Sequence, residues 1–150
     1  GACSRGGWNL VEARRDDLMD IDWELLRQQA ITAMGHAYAP YSKFPVGVAA
    51  LVDDGRIISA CNVENASYGL TLCAECGLVS DLVSSGGGRL VALYCVDAHG
   101  SPLMPCGRCR QLLFEHGGGG LLIMADTQIR PLSELLPWAF GPEELYRLLD

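Results

Sequence analysis

Positive charge is scarce in this chain: 11 Lys and Arg stand against 18 Asp and Glu, giving a formal net charge of −7 and a pI near 4.8. A surface of that sign offers no broad positive field to gather phosphate backbones, which argues against nucleic acid as a partner. Also missing is any run approaching the ~18 apolar residues that a membrane span needs, and the N-terminal stretch lacks the apolar core of a secretory signal. No membrane partner is expected. A disulfide framework is lacking as well. The seven cysteines are odd in number and four fall in two Cys-x-x-Cys pairs, a pattern that fits metal in a reducing compartment. The expected location is the cytoplasm. Repeats and low-complexity tracts are absent beyond the glycine clusters.

What is present suits one compact domain. A chain of 150 residues, 49% hydrophobic and 19% charged, can bury a single adequate core without a partner to fold on. Residues 1–18 are mixed and polar without sustained periodicity, so they are expected to form an extension outside the fold, with residues 19–150 as the domain. Asp20 or Asp22 can cap a helix carrying Leu25, Leu26, Ile31, Met34 and Tyr38, which should stop by Ala39 because Pro40 disfavours helix before it. Residues 46–52 and 56–63 read as strands joined through Asp53-Asp54-Gly55, a hairpin signal. A helix over 73–83, a doubly covered strand over 90–96, a helix from about 106 to 116 and a short strand over 121–125 follow. Ser133 is expected to cap a turn, and Pro142 to open a last helix. The alternation predicts an α/β protein with three α/β/α layers, parallel strands in its second half and an antiparallel hairpin attached.

The residues that carry chemistry are Cys73-Ala74-Glu75 and Pro105-Cys106-Gly107-Arg108-Cys109. Both clusters fall where a strand or loop gives way to a helix, whose free N–H groups and partial positive charge favour thiolates. Cys73, Cys106 and Cys109 can supply three ligands to zinc and leave the fourth position for water, with Glu75 free to move protons. Two other readings compete. Cys76 would complete a closed four-cysteine structural site, but with 29 residues (77–105) between the pairs the spacing exceeds the ~15–20 usual for such sites. A redox Cys-x-x-Cys is the other, disfavoured by two such pairs beside a glutamate. Glu75 separates the readings, since a closed site has no use for a carboxylate whereas activated water needs a base.

At these residues the sequence resembles a zinc-dependent cytidine deaminase of the short, homotetrameric type. The likeness runs from about Met34 to Leu145 in four ordered blocks: 41–47 (YSKFPVG), 62–69 (NVENASYG), 106–111 (CGRCRQ) and 135–142 (LLPWAFGP). It implies a mixed sheet of about five strands and one Zn²⁺ per subunit held by Cys73, Cys106 and Cys109. It also implies that Glu75 takes a proton from the water that attacks C4 of cytosine, protonates N3 and helps ammonia depart. The substrates implied are cytidine and 2′-deoxycytidine, the setting pyrimidine salvage. Asn62 and Glu64 match residues that hydrogen-bond the ribose, Phe44 the aromatic that packs on the base, and Phe140 the aromatic offered by a neighbouring subunit. Tyr68 and the backbone of Ala74 complete the implied pocket.

The bland readings are an ordinary turn for Asn62 and Glu64 and ordinary core for Phe44 and Phe140. His36, His99 and His116 have no ligand spacing to the cysteines, and Cys3, Cys61 and Cys95 read as free thiols. The chain departs from the family pattern at Cys76, where many relatives carry an arginine that offsets thiolate charge. Helix dipoles, backbone donors and Arg108 or Arg110 are left to take that role, and Cys76 is expected to be unligated. A non-enzymatic zinc module, or a deaminase of another small substrate such as a cytosine-containing antibiotic or a purine base, are the alternative functions.

Overall fold

The computed structural model describes residues 20–149; the expected extension over residues 1–18 lies outside them. Helix α1 (Trp23–Met34) is opened by Asp22, whose Oδ1 accepts the Leu25 amide at 3.0 Å. It ends at Met34, earlier than Ala39, because the next residues are needed elsewhere. The Tyr38 amide donates to the Asn62 carbonyl at 3.1 Å, and the Tyr38 carbonyl accepts the Glu64 amide at 2.8 Å. Pro40 sets only an outer limit on a helix that tertiary pairing stops first.

Strands β1 (Gly47–Val52) and β2 (Ile57–Cys61) form the expected hairpin, with Gly55 at φ +93° in the turn. After a 3₁₀ turn (Tyr68–Leu70) come α2 (Ala74–Ser84), β3 (Leu90–Val96), α3 (Gly107–Gly117) and β4 (Leu122–Ala125), as the periodicity predicts. An unforeseen strand, β5 (Gln128–Pro131), then precedes the short helices α4 (Leu132–Leu135) and α5 (Pro142–Tyr146). Ser133 does not cap α4. The cap position is Pro131, and Ser133 instead donates its amide to the Gly119 carbonyl at 3.0 Å.

Among the described residues the sheet has five strands in the order β2-β1-β3-β4-β5. β3 and β4 are parallel, while β2, β1 and β3 pair antiparallel, as does β5 with β4. Side-chain alternation then divides the core in two. Ala49, Ala92, Tyr94 and Val96 face Leu26 and Ala30 of α1. Val48, Ala50, Leu93, Cys95 and Ile123 face Leu78 and Leu82 of α2 and Leu113 of α3. The result is the three-layer α/β/α arrangement. A register shift between Leu51 and Val52 opposite β3 keeps Leu90 and Leu93 on one face despite their odd spacing. Gly47 is required by close approach: a Cβ there would lie 2.0 Å from the Ala30 carbonyl of α1.

Helices α2 and α3 lie side by side on one face of the sheet. No helix among the described residues is long and apolar enough to cross a membrane.

Candidate metal centre and its surroundings

Cys73 and Cys106 occupy equivalent places, each the N-cap residue of its helix, in extended backbone with φ/ψ of −62°/154° and −64°/168°. An N-cap side chain ordinarily accepts an amide of the first turn. Neither cysteine makes such a side-chain cap, so both sulfurs remain available. Cys109 lies three residues into α3, fully buried. The Sγ atoms of Cys73, Cys106 and Cys109 all fall within 4.8 Å of one another.

That grouping fits zinc. A tetrahedral site with Zn–S near 2.3 Å sets its sulfurs roughly 3.8 Å apart, so these three need to draw together by no more than about 1 Å. Cys76 holds the same position in α2 that Cys109 holds in α3, yet it is not in the group. On α2 the residue turned into the protein is Glu75, only 3% exposed, whereas Cys76 is half-buried. The two helix starts are alike in sequence and unlike in use, and the group that could hold a metal has three thiols with a carboxylate beside it.

The electrostatics are asymmetric. Burial is the largest influence pushing the Cys73 and Cys109 thiols up, and the adjacent Glu75 carboxylate adds to it in both. For Cys106, burial also acts upward, but the amides of Cys109 and Arg108 and the neighbouring thiols outweigh it and hold the group below its ordinary value. The charge offset at Cys106 therefore comes from the nearby first-turn amides of α3, acting through the helix N-terminus without closing a side-chain cap. Arg110 is committed to carbonyls, donating from Nε to Pro105 at 2.9 Å and from Nη1 to Leu135 at 3.1 Å. It anchors the loop just before Cys106.

The outlying residues form a second assembly. Asn62, 8% exposed, accepts the Val46 amide at 2.9 Å through Oδ1 and donates from Nδ2 to the Phe44 carbonyl at 2.9 Å. Glu64 Oε1 accepts the amides of Tyr41 at 3.0 Å and Ser42 at 3.1 Å. Both side chains thus brace the aromatic loop 41–46. In that loop Lys43 has φ +57°, a left-handed conformation that turns the chain into exposed Phe44. A cavity of about 300 Å³ opens beside them, lined by Tyr41, Ser42, Glu64, Tyr68 and Thr71. The Tyr41 and Tyr68 rings meet edge-on at 6.1 Å. Tyr41, Ser42 and Thr71 were not singled out in the sequence, although the first two lie in the YSKFPVG block.

Ala74 is buried at the start of α2. Phe140 stands exposed, and its carbonyl accepts Gln111 Nε2 at 2.7 Å, which ties the segment after α4 to α3. Cys95 is a free thiol, as the sequence reading has it, but its contact was not foreseen: its Sγ donates to Glu75 Oε1 at 3.4 Å. The available signal was strand parity, since β3 turns Cys95 to the same face as α2. His36 and His99 are exposed, and His116 lies at the far end of α3.

Known proteins share this fold and much of this sequence. The zinc-binding region of cytidine and deoxycytidylate deaminases matches residues 21–124. A cytidine deaminase from Mycobacterium tuberculosis is 63% identical over 128 residues, 85% of this chain and 96% of that protein. One from Sporosarcina psychrophila is 39% identical over 130 residues, 83% of this chain and 96% of the relative. The crystal structure of the Mycobacterium tuberculosis cytidine deaminase has a TM-score of 0.80 at 65% identity, covering 81% of this chain and 99% of that one. The corresponding structure from Burkholderia pseudomallei has a TM-score of 0.73 at 37% identity, covering 80% and 100%. With the family's zinc-binding region matched over most of the chain and three thiols gathered beside a buried glutamate, this chain belongs to the cytidine and deoxycytidylate deaminase family.

Proposed function

We propose that this chain hydrolyses cytidine and 2′-deoxycytidine to uridine and 2′-deoxyuridine with release of ammonia, as a homotetramer serving pyrimidine salvage in the cytoplasm. The observation that carries the proposal is the placement of Glu75, buried beside three thiols whose sulfurs lie within 4.8 Å of one another. Cys73, Cys106 and Cys109 would hold zinc, which would act there as the Lewis acid that makes water nucleophilic near neutral pH. Glu75 provides the proton traffic. Its carboxylate accepts the proton lost by the attacking water and passes it to N3 of the pyrimidine as C4 is attacked; it then takes the proton of the new C4 hydroxyl and hands it to the amine, so that the C4 carbonyl forms as the C–N bond breaks and ammonia leaves.

The second assembly provides the grip on a nucleoside. Asn62 and Glu64 address the ribose, and Phe44, Tyr68 and the backbone of Ala74 the base. Phe140 reaches the pocket of a neighbouring subunit. Asn62 and Glu64 are already engaged with loop backbone, so they hold the pocket wall as well as meeting the sugar.

Loss of cytidine ultraviolet absorbance, followed with the zinc-loaded protein beside Glu75→Ala, tests the reaction. Turnover by wild type and its collapse in the variant are expected; full activity in Glu75→Ala rejects the assignment. Glu64→Ala should weaken use of cytidine far more than of free cytosine. A fully active monomer in native mass measurement would remove the role given to Phe140.

A further inference from the structure

Glu75 is a flexible choice for a group that must meet a proton donor and an acceptor in turn. Its terminal torsion is broad and two-fold, so the side chain itself does not fix the plane of the carboxylate. Position in the first turn of α2 fixes only the backbone. Something across the layer must orient the oxygens.

The neighbour that does so comes from the sheet. Strand β3 places Tyr94 and Val96 toward α1 and Cys95 toward α2 and α3. Cys95 is 1% exposed, and its Sγ lies 3.4 Å from Glu75 Oε1. Its own backbone is anchored on the metal side, because the Cys95 carbonyl accepts the Leu103 amide at 2.8 Å, in the loop that leads to Cys106. Burial, and then the Glu75 carboxylate, push the Cys95 thiol well above its ordinary value, so the sulfur keeps its hydrogen at neutral pH. A carboxylate can only accept, and the shared hydrogen therefore runs from sulfur to oxygen.

We propose that Cys95 is a positioning residue: its buried thiol donates a hydrogen bond to Glu75 Oε1 that fixes the carboxylate plane for proton transfer. The proposal rests on Glu75 being the proton carrier. A thiol is a weak donor, which suits a contact that must orient a carboxylate without competing for the proton it carries.

The test compares Cys95→Val, which keeps an apolar group in the core, and Cys95→Ser, which keeps a donor, in the zinc-loaded protein. Loss of a hydrogen bond at the weak end of the range, as befits a thiol donor, corresponds to about two- to fivefold in a rate constant. Cys95→Val should lower kcat by about that factor, with KM changed less than about twofold, while Cys95→Ser recovers most of kcat. Metal content and melting temperature, measured alongside, separate orientation from damage to the fold. An independent readout needs no variant to remain active. The Raman S–H stretching band of Cys95, identified by its loss in Cys95→Ser, should lie lower in wild type than in Glu75→Ala. Wild-type kcat in Cys95→Val, or an S–H band indifferent to Glu75, overturns the role of Cys95. Undiminished turnover in Glu75→Ala would instead overturn the reading of Glu75, so the two failures are distinguishable.

Discussion

The equivalent positions of Cys76 and Cys109 in their helices make the choice of ligands measurable. Replacing Cys106 by Ser removes one of three grouped sulfurs, and because Cys106 is exposed the change itself should leave the core unstrained. Replacing Cys76 by Ser removes a sulfur outside the group. Structural zinc sites contribute about 10–16 kcal/mol through four ligands, so one thiolate is worth roughly 2.5–4 kcal/mol. Cys106→Ser should therefore weaken zinc binding by about 10²–10³-fold, and Cys76→Ser by less than about threefold. Competition against a chelator of known affinity, with metal content measured after dialysis, reads both. Equal losses in the two variants would mean that Cys76 is a ligand, that the site is closed, and that the open-site chemistry is wrong.

Three further outcomes follow from packing and charge. A methyl group on Gly47 would strike the Ala30 carbonyl and lie 2.6 Å from the Met34 amide, atoms of a helix backbone that cannot rotate away. Gly47→Ala should cost about 3 kcal/mol in urea unfolding, the upper end of overpacking, and an unchanged midpoint would show that α1 can shift. Leu113 is wholly buried where α3 meets the sheet, so Leu113→Ala should lose about 2–5 kcal/mol and also loosen zinc; wild-type values of both would count against that packing. The Ser42 hydroxyl, then the Ser42 and Tyr41 amides, hold the Glu64 carboxyl below its ordinary 4.5. A depressed carboxylate contributes stability that is present above pH 4.5 and is lost as pH falls through its folded value. The melting temperatures of wild type and Glu64→Gln should differ at pH 7 and converge below pH 4.5; a constant difference would show that this ionisation is not linked to folding.

The sheet and its two faces were legible because burial imposes periodicity. Leu90–Val96 is a continuous apolar run, and it is buried on both sides. The misses have local causes. β5 reads Gln-Ile-Arg-Pro and lies exposed at the sheet edge, where no alternation is enforced, and its turn uses Asp126 at φ +57° instead of the glycine that flags a hairpin. The end of α1 was hidden because long-range pairing of Tyr38 stops it. The grouping of Cys73, Cys106 and Cys109, with Glu75 beside it, was readable from residue type and spacing. Cys95 was not, since only the sheet brings position 95 to position 75.

The bracing of the aromatic loop by Asn62 and Glu64 carries a consequence for how the molecule breathes. An exposed loop normally exchanges its amide hydrogens with solvent almost as fast as an unfolded peptide. The amides of Tyr41, Ser42 and Val46 are each held by one of these two side chains, so this loop should instead exchange in step with the end of β2. A carboxylate has about four lone-pair sites and a side-chain amide two donors and two acceptor sites, so Glu64 and Asn62 can meet a sugar while still holding those amides. Binding would then be recorded as slower exchange at Tyr41, Ser42 and Val46, a tightening of the wall at the moment the pocket fills.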